Sequence, residues 1–220
     1  MKMPDSPTAT TTKSRQSVLV RDVIEVVLLV TVIFFAIKLS VETRPVDGIS
    51  MFPGLNTGQY LFENKLTYVF GTPQRGDVIV FKYPYDTTSY FVKRIIGLPG
   101  DTITITPTTL AVNGVQLNEP YISAADNCSV LGGQPCATRI IKLGANQFWV
   151  MGDNRPASCD SRVFGELDRD KIVGKVAFVW WPLSLFHGVN TYDAVFAHIP
   201  NGNAAQASGG PGITGLGRCN

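Results

Sequence analysis

The chain has 220 residues, 45% of them hydrophobic and 16% charged. That length allows one ordinary domain, or one domain with a small appendage, and the composition excludes a disordered, collagen-like or disulfide-dense chain. The formal charge of +2 lies wholly in residues 1–22, where Lys2, Lys13, Arg15 and Arg21 outnumber Asp5 and Asp22, so the remainder lacks the basic stripe a nucleic-acid binder needs.

Residues 23–41 read VIEVVLLVTVIFFAIKLSV and carry no charge from 26 to 37. As a helix they span about 28 Å, close to the roughly 30 Å of a bilayer core. Glu25 and Lys38 fall near the ends, where a long side chain reaches the headgroups. A cleavable signal peptide is the competing reading, but no small-x-small site follows. A buried core helix is the other. The segment is read as a transmembrane anchor, with the basic tail 1–22 cytoplasmic and residues 42–220 outside.

Beyond the anchor, short β-type runs rich in Val, Ile, Phe and Thr predict strands over 77–83, 91–96, 102–106, 110–112, 115–117, 139–143, 147–151 and 175–181. Asn113-Gly114 signals a hairpin, and Leu98-Pro99-Gly100-Asp101 a type II turn. With no long amphipathic helix, 42–200 is expected to be a mostly β domain. Trp180-Trp181-Pro182-Leu183-Ser184-Leu185-Phe186 reads either as a segment dipping into the membrane interface or as a strand followed by a loop. Cys128 and Cys136 flank a Gly-Gly turn and could close a small disulfide loop; free thiols and zinc are the alternatives, although no CxxC pair or His cluster would complete a metal site. Cys159 and Cys219 have no evident partners. The Gly-rich residues 201–220 read as a flexible tail.

The chemistry is less conspicuous. His187 and His198 are the only histidines, and neither neighbours a nucleophile motif; G-x-S-x-G, a P-loop, GxGxxG and HExxH are absent. Ser50 lies in the turn-forming Asp47-Gly48-Ile49-Ser50-Met51-Phe52-Pro53, where an ordinary loop hydroxyl is the bland reading. Lys93 shares a strand face with Phe91 and Ile95. Burial there would lower its pKa and let it take a serine proton; a snorkelling lysine on a wet strand is the alternative.

Order decides between them. Ser50-Met51-Phe52-Pro53, Gly76-Asp77-Val78-Ile79-Val80-Phe81, Lys93-Arg94-Ile95-Ile96-Gly97-Leu98-Pro99-Gly100-Asp101 and the run from Gly152 through Asp153, Asn154, Arg155 and Ser158 to Arg162 follow one another behind the anchor. This closely resembles the bacterial type I signal peptidases, membrane-anchored Ser-Lys proteases that remove signal peptides from exported proteins. The resemblance implies Ser50 as nucleophile and Lys93 as general base. It implies that Ser158 hydrogen-bonds and orients the lysine, and that Asp160 and Arg162 form a supporting ion pair with Asp153 in the same loop. Met51, Leu55, Val80, Phe91 and Val92 would line shallow pockets for small side chains. A region inserted over roughly 102–146 belongs to the same family pattern.

Gly48 departs from that pattern, since some members place there a serine that donates to the oxyanion. The backbone N–H of Ser50 is expected to take over, with Gly48 as a merely flexible turn residue the alternative. The implied partners are signal-peptide-bearing preproteins and the lipid bilayer of the bacterial cytoplasmic membrane. No cofactor, metal, nucleic acid or obligate protein partner is implied. Self-cleaving repressor-type proteases share a Ser-Lys dyad but carry a DNA-binding module that this chain lacks. A tethered β-domain that binds exported peptides without cutting them would not need both Ser50 and Lys93.

Overall fold

The computed structural model describes residues 15–122, 138–203 and 219. Cys128 and Cys136 lie outside them. The chain divides into two units, residues 1–40 and 41–220.

The first unit is a helix, α1 (Arg15–Ser40). Its large apolar side chains from Val23 to Ile37 are 49% to 63% exposed, on every side. Among the described residues, no helix is long and apolar enough to cross a membrane. The reason is local: every 18-residue stretch within 18–38 takes in at least three of Arg21, Asp22, Glu25 and Lys38. The helix also stops before the expected end of the anchor, because Val41 already belongs to a strand.

The second unit is β-rich, as expected. Its strands are β1 (Val41–Pro45), β2 (Tyr60–Asn64), β3 (Val78–Tyr83), β4 (Asp86–Gly97), β5 (Thr102–Ile105), β6 (Leu110–Val112), β7 (Val115–Gln116), β8 (Arg139–Lys142), β9 (Gln147–Met151), β10 (Leu167–Asp168), β11 (Ile172–Trp181) and β12 (His187–Gly188). A main sheet has the order β1-β2-β11-β3-β4-β9-β10, with β12 on β11; a four-stranded sheet has the order β7-β6-β5-β8. The Asn113-Gly114 turn joins β6 to β7, and Asp101 N–H closes the expected turn onto Leu98 O at 3.0 Å. Strands β1, β2, β10 and β12 were not anticipated. β1 reads VETRP and β2 YLFEN, each too short and too charged to show a clean alternation, and pairing with each other defines them.

Three apolar clusters hold this unit together. The small sheet packs Ile103, Ile105, Leu110, Val112 and Ile141 onto Ile96, Trp149 and Met151. A second cluster includes Tyr83, Ile95, Phe148, Cys159 and Phe164. The third buries Met51, Leu55, Leu61, Val78, Val80, Val176 and Val179. Burial of side chains this size stabilises by roughly 1.5–3 kcal/mol each. The third cluster matters most for the site, because Met51 and Leu55 root the Ser50 loop in the core.

At the end of β11, Trp181 is followed by a 3-10 turn at Leu183–Leu185, and Trp181, Leu183, Leu185 and Phe186 are exposed. This is the strand-then-loop arrangement, with the loop's apolar side chains facing outward. The stretch 201–220 is better held than a flexible tail at its described positions. Arg75 Nη1 donates to Asn201 Oδ1 at 3.3 Å, Gly202 N–H to Asp101 Oδ1 at 3.0 Å, and Cys219 is covalently bonded to Cys159. A polar composition hid contacts made through one buried carboxylate and one cysteine.

Candidate active site

Strand β4 brings the groups together. It pairs with β3 through Ile79 opposite Lys93 and Val80 opposite Val92, whereas β9 joins it only from Arg94 onward. Among the described residues, 86–93 of β4 therefore keep one main-chain edge unpaired. Alternation puts Phe91, Lys93 and Ile95 on one face and Val92 and Arg94 on the other.

Lys93 is buried, only 4% exposed. Its Nζ lies 2.8 Å from Ser50 Oγ, donates to Val92 O at 3.1 Å and sits 5.3 Å from the Phe91 ring centroid. No carboxylate forms an ion pair with it among the described residues. Burial lowers its pKa to about 8; the charges of Asp160 and Asp153 oppose that shift and Arg162 reinforces it. An amine so placed is largely neutral in mildly alkaline solution and can take the hydroxyl proton of its neighbour.

The Ser50 loop is fixed from both sides. Leu55 N–H bonds back to Met51 O at 2.9 Å, and Val46 N–H to Gln59 O at 2.7 Å. From the 152–156 loop, Asn154 N–H reaches Ser50 O and Asn154 Nδ2 reaches Ile49 O, both at 3.0 Å. Gly152 permits this approach, since a Cβ there would stand 2.5 Å from Ser50 O and overlap the Ser158 side chain. Gly48 adopts φ +102°, a conformation that L side chains rarely take, and an added Cβ would meet only open space.

Arg162 holds Asp160 with two hydrogen bonds of 2.8 Å, and Asp160 also accepts from Gly152 N–H at 3.0 Å. Asp160 caps the short helix Ser161–Phe164 by accepting from Arg162 N–H at 3.1 Å. Burial pushes its carboxyl up, but the Arg162 charge and these hydrogen bonds outweigh that and hold it below its ordinary value. Asp153 is paired differently: Arg94 Nε and Nη2 reach its two oxygens at 2.9 and 2.8 Å. Burial pushes the Asp153 carboxyl up despite that pairing.

Ser158 does not fulfil its expected bond. Its Oγ is buried and makes no formed hydrogen bond, although its hydroxyl stands near enough to Asp160 to help hold that carboxyl down. Lys93 bonds Ser50 Oγ and Val92 O instead. Of the expected pocket residues, Met51, Leu55, Phe91 and Val92 line a cleft of about 630 Å³ together with Gly48, Ser50 and Lys93. Val80 does not; it is fully buried in the cluster beneath Met51 and Leu55. Both histidines are exposed and neither lines the cleft.

Sequence reasoning missed three contributors. Arg94 stands beside Lys93, and a cation next to a catalytic candidate on a strand must face the other way and needs its own carboxylate. Asn154 lay inside a quoted motif without a role. Cys219, which lines the same cleft through its bond to Cys159, left no local signal at all.

A signal peptidase family model (peptidase S26) matches residues 19–181 and so takes in Ser50, Lys93 and the 152–162 run. The chain belongs to the peptidase S26 signal peptidases. It is 34% identical to signal peptidase IB of Staphylococcus aureus over 181 residues, covering 76% of this chain and 93% of the relative. It is 39% identical to signal peptidase I of Bacillus caldolyticus over 148 residues, covering 64% of this chain and 80% of the relative. A crystal structure of a signal peptidase I from Enterococcus faecalis matches with a TM-score of 0.40 at 34% identity, over 48% of this chain and 97% of that one. As a member of this family the chain is a serine peptidase, a hydrolase of peptide bonds.

Proposed function

We propose that this signal peptidase cuts signal peptides from exported preproteins with Ser50 as nucleophile and Lys93 as general base. The observation that carries the assignment is the 2.8 Å approach of Lys93 Nζ to Ser50 Oγ inside a cleft, with the amine pushed down to about 8. Ser50 Oγ attacks the scissile carbonyl carbon while its proton passes to Lys93 Nζ. The C–N bond then breaks and Lys93 returns that proton to the leaving amine. A water repeats the sequence: it gives Lys93 a proton, its oxygen attacks the acyl carbon, and Ser50 leaves with the proton restored. No metal or cofactor enters these steps.

The substrate end pairs as an extended strand on the open edge of β4 at 86–93, in the cleft that Met51, Leu55, Phe91 and Val92 line, and its small side chains enter that cleft. Val80 acts behind Met51 as packing. The Asp160–Arg162 pair, Asp153 and Ser158 act as supports of the Ser50 and Lys93 segments. The Ser50 backbone N–H serves as oxyanion donor, in a turn whose positive φ at Gly48 suits glycine.

Helix α1 serves as the single-pass anchor in the bacterial cytoplasmic membrane, with the basic tail inside and the β-rich unit outside. An all-round apolar helix belongs in a protein core or in lipid, and in this chain those side chains are exposed. The charges that break its apolar run, Arg21, Asp22, Glu25 and Lys38, lie toward its two ends, where headgroups accept them. Exposed Trp181, Leu183, Leu185 and Phe186 would add contact with the interface. Protease added to spheroplasts should digest the β-rich unit and spare the tail.

The decisive assay incubates detergent-solubilised full-length protein and its Ser50→Ala variant with a preprotein. Cleavage by the first and none by the second supports the assignment. Equal cleavage by both would overturn it.

A further inference from the structure

The bond between Cys159 and Cys219 joins residues 60 apart in the chain and brings both to the cleft that holds Ser50 and Lys93. Cys219 is held by more than this bond. Its N–H donates to the Tyr83 hydroxyl at 2.8 Å, and its side chain packs on the cluster containing Tyr83, Phe164 and Cys159. Phe91, stacked on Tyr83 with ring centroids 4.8 Å apart, packs on the same cluster. Val92, the next residue of β4, packs instead on the cluster of Met51 and Leu55. The open edge of β4 is thus flanked by two different walls: one of Met51, Leu55 and Val92, the other of Phe91 and the Cys159–Cys219 bridge.

We propose that the Cys159–Cys219 disulfide is a specificity element that closes the second wall of the substrate cleft and limits the size of the side chain pointing toward it. This rests on the strand-like substrate pose described above. Successive side chains of an extended peptide alternate between faces. In an A-x-A-like end, the two small residues therefore share the Met51 wall, and the middle residue meets Phe91 and the bridge. The hydrogen bonds of Lys93 to Ser50 Oγ and Val92 O and those between Arg162 and Asp160 involve neither cysteine side chain. Opening the bridge should alter which peptides are accepted.

The test measures kcat/KM for full-length protein on preproteins that differ only in the middle residue, small against bulky. A pocket contact of this kind discriminates by about 10–200-fold, and Cys219→Ser should lower the small-over-bulky ratio by at least about threefold, chiefly through KM. Treating the wild type with a dithiol should do the same: the S–S bond breaks, each sulfur gains a proton, and the reagent's two thiols are oxidised to its own disulfide. The dithiol should then change nothing further in Cys219→Ser, which separates this bridge from any other cysteines. If Cys219→Ser melts early, Cys219→Ala and the dithiol-treated wild type give the same ratio on folded protein. An unchanged ratio in the variants and in the reduced wild type overturns the proposal. Cleavage that survives Ser50→Ala would instead overturn the dyad assignment, which keeps the two failures apart.

Discussion

The two faces of β4 treat a buried cation in opposite ways. On one face Arg94 is matched by Asp153 with two hydrogen bonds, donates to the Gly76 and Asn190 carbonyls at 2.8 Å each, and lies 4.6 and 5.1 Å from the Tyr121 and Tyr192 ring centroids. On the other face Lys93, one residue away, has a serine hydroxyl and a carbonyl but no paired carboxylate. A buried charge without a partner gives up its proton more readily. The same burial therefore leaves Arg94 a paired structural pin and Lys93 an amine without a carboxylate, as its proposed role of base requires.

The largest effect expected from breaking this contrast is on turnover. Lys93→Met should lower preprotein cleavage by about three orders of magnitude or more, because among the described residues no other amine and no imidazole lines the cleft. Retention of more than about a tenth of wild-type turnover in a quantitative cleavage assay would remove Lys93 from the reaction.

Stability should respond in the opposite sense. Arg94→Met leaves the Asp153 carboxylate buried and unpaired, which typically costs about 3–5 kcal/mol. Lys93→Met removes a cation that the fold disfavours. With the folded pKa near 8 against an unfolded value of about 10.5, the wild type gains stability as pH rises through the window from 8 to 10.5. Below pH 8 it carries the full penalty, on the order of 3 kcal/mol at most. Chemical denaturation at pH 7 should accordingly find Lys93→Met at least as stable as wild type and Arg94→Met markedly weaker. A destabilised Lys93→Met would mean that its contacts outweigh its burial.

The pH–rate profile sharpens the same point. Cleavage should increase as pH rises through about 8, because the base works only when deprotonated. Changing His187 and His198 together should leave that limb in place. A limb near 6.5 that vanished in the double variant would point to imidazole instead.

The smallest expected effect concerns the Ser50 turn. Both Gly48→Ser and Gly48→Val strain a φ of +102°, a cost of about 1–3 kcal/mol that is greatest for a β-branched residue. Turnover at equal folded concentration should rank glycine above serine and serine above valine. Equal rates in all three would show that the turn's geometry does not reach the chemistry.

Much of this architecture was legible because it is local. Alternating Val, Ile and Phe marked β3, β4, β9 and β11, and Asn113-Gly114 marked its hairpin, since backbone preference and side-chain period act over a few residues. Motif order pointed to Ser50 and Lys93, and apolar neighbours at Phe91 and Ile95 already suggested how a lysine there would lose its charge. Less was legible where an element depends on a distant partner. β1 and β2 exist as strands because they pair with each other, and Val80 became core packing because Met51 and Leu55 cover it.

By itself, then, the sequence determined the β-rich class, the apolar α1 segment and the turn residues, all of them written in short-range pattern and side-chain chemistry, while the resemblance carried by motif order pointed to Ser50 and Lys93. Tertiary structure alone decided that Lys93 meets Ser50 while Arg94 meets Asp153, that Asn154 grips the Ser50 turn, that Ser158 leaves the lysine free, and that Cys219 reaches Cys159. Those are contacts between segments tens of residues apart, and only the closing of the sheets brings such segments within bonding distance.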